Sequence, residues 1–166
     1  MLRIMLGIVF LGAASAQAQG VITTHKISAQ LANELVGESV AQCAKNGYKV
    51  VAVVVDLDGV RQAVLRGDGA PIHSMDNAYY KAYTLASMGL SRKEESTKEL
   101  FERVAKNPST TTSLGNLPNI TFTPGGIAIF AGQEPIGGLG VGGAPGGNFD
   151  DECADAALKK IADRLK

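Results

Sequence analysis

Apolar residues first recur along the chain at helical spacing. Leu31, Leu35, Val36, Val40 and Cys43 fall on one stripe. Ser28 precedes the stripe as a candidate N-cap, and Gly47 follows it where a helix end takes a left-handed residue. The period then changes. Val50, Val51, Ala52, Val53, Val54 and Val55 make an unbroken, largely β-branched run within residues 48–57, the pattern of a strand covered on both faces. Asp58-Gly59 is a hairpin signal, and residues 60–66 return as a second, alternating strand. Gly67-Asp68-Gly69-Ala70-Pro71 reads as a loop. Ser74 is placed to cap a helix over 75–90, in which Ala78, Ala82 and Ala86 lie four residues apart. Such a small-residue stripe lets a helix lie close to its neighbour. A further helix over 93–106 buries Leu100, Phe101 and Val104 and ends at Asn107-Pro108.

Residues 108–119 are polar and without period. Three short strands are then expected at 120–123, 127–130 and 136–141, the first two and the last two pairing as hairpins. Residues 142–147 form a glycine-rich loop. Asp150 is placed to cap a final helix reaching about residue 165, with Cys153 in its first turn and Ala154, Ala157, Leu158, Ile161 and Leu165 on its apolar face. The order is helix, two strands, two helices, three strands, helix. Hairpin-linked strands with segregated helices predict a single α+β domain built on a five-stranded antiparallel sheet. If the first and last helices share one sheet face, Cys43 and Cys153 come within reach of each other.

The N-terminus changes this picture. Arg3, the apolar run 4–14 and Ala16-Gln17-Ala18 follow the order of a secretory signal: positive start, apolar centre, small-residue cleavage site. The run is well short of the roughly 20 residues a membrane span needs. The expectation is therefore a signal over residues 1–18, a mature domain over 19–166, and a periplasmic or secreted location. Loss of Arg3 from a chain of 16 basic and 16 acidic residues leaves the mature protein one unit negative, which gives no electrostatic footprint for nucleic acid. In an oxidising compartment the cysteine pair is most simply one disulfide. Two buried thiols or a metal pair are the rivals, and the lack of nearby histidines makes a poor zinc site.

Candidate chemistry is sparse. Gly138-Leu139-Gly140-Val141-Gly142-Gly143 matches G-x-G-x-x-G in letters only. A dinucleotide fingerprint must open a helix directly after its strand, and here Pro145 and more glycines intervene. The plainer reading is a segment that lets backbones approach closely. There is no nucleophile elbow and no Walker A sequence. His25 and His73 are the only histidines, so any imidazole ligand or base is one of them. Lys81 reads either as a solvated helix lysine or as a charge beside a pocket. Tyr79, Tyr80 and Tyr83, with Met75 and Met88, read as core or as pocket lining.

Longer strings carry a resemblance. Val53-Val54-Val55-Asp56-Leu57-Asp58-Gly59, followed by Leu65-Arg66-Gly67-Asp68-Gly69-Ala70, resembles the core motif of the GlcG/HbpS haem-binding family, as does Lys81-Ala82-Tyr83-Thr84-Leu85-Ala86. Pro124 to Ile129 is similar to its second motif. The stretch from Ile136 to Gly147, with Asp150-Asp151-Glu152, is similar to its third. The resemblance spans roughly residues 31–162 and extends to the PduO C-terminal domain. It implies a profilin-like α+β domain, assembly into homo-oligomers (often octamers), and haem as cofactor, sequestered, sensed or degraded. A haem site takes an axial ligand, apolar walls and cations for the propionates. The resemblance suggests His73 as first ligand, His25 as second, and Arg66 and Lys81 as propionate partners. The alternatives are a binder or enzyme for a small organic acid or aromatic molecule, and an oligomeric partner of a membrane sensor.

Overall fold

The computed structural model describes Gly20 and residues 22–166; the expected secretory segment lies outside the described residues. Ser28 caps the first helix, α1 (Ala29–Lys45), by accepting a hydrogen bond from the Leu31 amide, and Gly47 beyond it is left-handed at φ 76°. The valine run forms β1 (Val51–Val55), buried along its whole length, and β2 (Arg61–Arg66) returns as its antiparallel neighbour. Helix α2 (Ser74–Thr84) widens into a π-helical turn (Leu85–Gly89) and closes in a 3-10 turn (Leu90–Arg92). Short helices α3 (Thr97–Val104) and α4 (Pro108–Gly115) follow. The chain then forms the hairpin β3 (Gly126–Ala131) and β4 (Glu134–Gly142), and ends in α5 (Gly147–Ile161) with a 3-10 turn (Ala162–Arg164).

The strands form one antiparallel sheet in the order β2-β1-β4-β3. Its two faces are covered by different layers. Ala52, Val54, Leu139, Val141 and Ile129 pack with Leu35 and Val36 of α1 and Ala154, Ala157 and Ile161 of α5. Val51, Val53 and Val55 point the other way, against Ala78 and Ala82 of α2. Successive strand residues face opposite sides, so a strand apolar on both is the one that separates two cores.

Glycines on β4 explain how close α2 comes. A Cβ on Gly138 would stand 2.9 Å from the Ala82 carbonyl oxygen, and one on Gly140 would collide with that of Ala78. The small-residue stripe of the helix therefore rests directly on the glycines of the strand. That is the structural role of the segment that resembled a nucleotide fingerprint.

The sheet has four strands among the described residues, not the expected five. Residues 120–123 join no ladder. The Thr121 amide donates instead to the Thr84 hydroxyl at 2.9 Å. The open edge of β3 is met by the chain ahead of α3, where Ser96 bridges Ile127 and the Ala128 amide donates to Glu95 at 2.8 Å. Residues 108–119, read as irregular, contain α4, whose Asn107 cap accepts from the Thr110 amide with Pro108 in the first turn. An Asn-Pro pair is thus a stop for one helix and a start for the next. Ser74 does not cap α2 but is its first residue. Likewise Asp150 lies within α5, which starts at Gly147 behind Gly146.

Helices α1 and α5 pack side by side, and a disulfide joins Cys43 to Cys153 with Cα atoms 5.3 Å apart across 110 residues of sequence. Closing so long a loop in the unfolded chain is worth about 4–5 kcal/mol in the chain-entropy treatment. Replacing both cysteines by alanine is expected to lower the urea-unfolding free energy by about that amount. A parent-like midpoint for the double variant would show that the bridge contributes no stability.

Candidate functional site

Strand register sets which groups can meet. Arg66 pairs with Val51, and Val51 with Gly142, so these residues mark one end of the sheet. Glu134, at the start of β4, marks the other. At the first end Arg66 donates from Nε to the Ala70 carbonyl at 2.9 Å, and the Ala70 amide donates back to Gly67. The guanidinium is thereby pinned across the Gly67–Ala70 turn. Gly69 in that turn is left-handed (φ 72°), and a Cβ there would stand 3.3 Å from Lys49 Nζ. The same turn therefore carries a second cation, Lys49. Two residues past Pro71, His73 stands exposed at the head of α2, next to Ile72, which is 78% exposed. One end of the sheet thus gathers an imidazole, two cations and an exposed aliphatic side chain.

His25 lies at the other end. Its Nδ1 is 2.8 Å from Glu134 Oε2, in an exposed pair. A carboxylate on one ring nitrogen orients an imidazole, as it does at many metal-binding histidines. Beside it, Lys26 is held by Asp56 at 2.9 Å and Asp58 at 3.5 Å. The length of β4, roughly 25–30 Å at strand rise, separates the two histidines, so they cannot share one ligand atom.

Lys81 belongs to neither end. Its side chain is 1% exposed, paired with Asp150 at 2.7 Å, and donates to the Val141 carbonyl at 2.8 Å. Burial pulls the Lys81 ammonium below its ordinary value and pushes the Asp150 carboxyl above its own, each opposed by the charge of the other. Asp150 also accepts from the Ala144 amide, and Asp151 from that of Gly125. A Cβ on Gly125 would stand 2.7 Å from Lys81 Nζ. The lysine is sealed in and paired with a buried carboxylate, so it is not a cation on offer to a ligand.

Sequence reasoning set Arg66 and His73 on either side of one loop, and the structure keeps them at the two ends of the Gly67–Ile72 connection. It missed Lys49, whose only signal is its place two residues ahead of β1, opposite the end of β2. Among the described residues no group of three or more His, Cys, Asp or Glu side chains is set to hold a metal ion. What the chain offers is single exposed imidazoles. That donor set suits an iron whose equatorial ligands come from a macrocycle, with one axial position left to the protein.

Comparison with known proteins agrees with this fold. The sequence model of the HbpS-like family, described as haem-degrading proteins, matches residues 27–159. Among solved structures, a double mutant of HbpS from Streptomyces reticuli is 31% identical with a TM-score of 0.76, covering 90% of this chain and 97% of its own. The Klebsiella pneumoniae protein ORFY is 24% identical with a TM-score of 0.75, over 89% and 98% of the two chains. PduOC in complex with heme is 24% identical with a TM-score of 0.71, over 82% and 96%. No curated protein sequence matches the chain. The chain belongs to the HbpS-like family.

Two ionic features make quantitative expectations. Asp150→Asn leaves a buried ammonium unpaired and is expected to cost about 3–5 kcal/mol, whereas the double change Lys81→Met with Asp150→Leu should recover most of that loss. Urea unfolding of the three proteins reads this directly, and near-parent stability for Asp150→Asn would contradict it. For Asp56, burial alone would raise the carboxyl. Lys26 and the amides of Val60 and Asp58 outweigh it, and the net shift is below the ordinary value of 3.8. A depressed carboxyl stabilises the fold above its unfolded value, and that contribution is lost as the pH falls through the folded one. Asp56→Asn should therefore flatten the fall in stability below about pH 4, and an unchanged acid limb would show that Asp56 does not contribute to it.

Proposed function

We propose that this is an exported haem-binding protein that sequesters, senses or helps degrade haem. The observation that carries the reading is the grouping at one sheet end of exposed His73, exposed Ile72, and the cations Arg66 and Lys49. These are the three kinds of contact a haem needs: an axial nitrogen, an apolar wall and partners for the propionates. Membership of the HbpS-like family, and a heme-bound relative of the same fold, support it from outside the chain.

In this reading His73 would hold the iron through an imidazole nitrogen. Ile72 would give an apolar contact, and Arg66, already oriented by Ala70, and Lys49 would serve the carboxylates. Lys81 takes no part, because Asp150 holds it. Bound haem would supply a redox-active iron at the protein surface. His25 is the second candidate ligand, favoured by its contact with Glu134, which orients the ring. The proposal further places a secretory signal over residues 1–18 and the working domain over 19–166, in the periplasm or outside the cell. An oxidising compartment accords with the disulfide. Assembly into a homo-oligomer, an octamer by family resemblance, is supported by Val60 and Val64, 60% and 40% exposed beside the unpaired edge of β2.

Haem titration of the exported protein, with an N-terminus near Gln19, should give a saturable Soret shift. His73→Ala should weaken it by about tenfold or more, and reversing both cations to glutamate should weaken it without altering the bound spectrum. Loss in His25→Ala alone would move the ligand to the Glu134 end. An unsaturable titration, or parent-like spectra in both histidine variants, would end the proposal.

A further inference from the structure

A cleft of about 390 Å³ lies between the C-terminal end of α2 and the segment that follows α4. Tyr83, Ser87, Met88, Leu114, Leu117 and Ile120 line it. It contains neither histidine and none of the cations gathered around the Gly67–Ala70 turn, so it is separate from the site proposed for haem.

Three features mark it as built rather than incidental. Its helical wall is the π-helical turn Leu85–Gly89, which supplies Ser87 and Met88. Single π turns inside helices are uncommon and occur frequently at functional sites. The opposite wall is tied to that helix: the Thr84 hydroxyl accepts from the Thr121 amide at 2.9 Å, while Asn119 between them is left-handed at φ 63°. The base of α4 is supported in turn, since the Thr111 hydroxyl donates to the Val104 carbonyl at 2.8 Å and Phe122 packs on Phe101 with ring centroids 6.2 Å apart. The cleft is therefore held open by hydrogen bonds and aromatic contacts outside its own lining.

The lining selects the ligand. No charged side chain is present in it, so a carboxylate or a cation entering would lose hydration without gaining a partner. The volume lies near the lower end of the range for small-molecule sites. Met88 brings a polarizable thioether and Tyr83 an aromatic ring, both of which favour an aromatic guest. Ser87 already donates to the Thr84 carbonyl, so its oxygen remains free only to accept. We propose that this cleft is a second ligand site that binds a small, neutral aromatic molecule of one or two rings, with any hydroxyl or amine hydrogen directed at Ser87.

The chain contains no tryptophan, so an environment-sensitive naphthalene probe can be read without background. Titrating the purified protein with the neutral probe 6-propionyl-2-dimethylaminonaphthalene should give a saturable blue-shifted emission, one probe per chain. 2-Naphthoate should compete about tenfold more weakly than neutral 2-naphthol. Ser87→Phe fills the cleft from an exposed helix position and should weaken the probe by about tenfold or more. Leu117→Arg, at a rim residue 50% exposed, should do the same without threatening the fold. Haem titration of Ser87→Phe should match the parent, and failure of haem binding in the parent would leave the probe result intact. The assignment is overturned by an unsaturable probe signal, by equal competition from naphthoate, by parent-like affinity in both variants, or by loss of haem binding in Ser87→Phe.

Discussion

The ion pair between Lys81 and Asp150 is the contact on which the three layers of this domain converge. Lys81 comes from α2 on one face of the sheet, and Asp150 from α5, whose helix covers the other. Their bond at 2.7 Å, with the Val141 carbonyl at 2.8 Å, passes around the end of β4 and ties both helical layers to the strand between them. A buried pair of this kind is weak evidence for stability, because desolvation offsets most of the attraction. Its clearer effect is geometric. With both charges sealed, only one placement of α2 against α5 leaves neither unpaired.

That constraint accounts for much of the glycine content around it. Gly125 leaves room for the ammonium, while Gly138 and Gly140 let α2 settle on β4 at backbone distance. The alanine stripe of α2 and the glycine run of β4 were both visible in the sequence as small-residue patterns. Neither pattern names its partner, and only the pairing of β4 with β1 shows that the two meet. The same holds for the cysteines: each helix stripe was legible alone, and their approach followed from placing both helices on one face.

What the sequence hid follows a physical rule. Local signals, such as the valine run, the Asp58-Gly59 turn and the Ser28 cap, predicted elements that formed. Residues 120–123 have strand composition but lost the competition for a sheet edge, because Glu95 and Ser96 reach β3 first and Thr84 takes the Thr121 amide. Lys81 had the appearance of a helix lysine, and nothing local could show that an aspartate 69 residues away would bury it. Lys49 was missed for the converse reason. It is an unremarked residue ahead of a strand until the β1–β2 register sets it over the turn that also pins Arg66.

The layering also keeps the disulfide apart from α2. Cys43 and Cys153 lie in the α1–α5 layer, 0% and 3% exposed. The imidazole of His73 and the neutral cleft both belong to α2, on the far side of the sheet. The sheet, with the valines of β1 buried along its whole length, stands between α2 and the layer that holds the disulfide. A bridge so placed ties α1 to α5 within their own layer. The face carrying α2 can then vary its exposed residues while the disulfide face holds the strands in register.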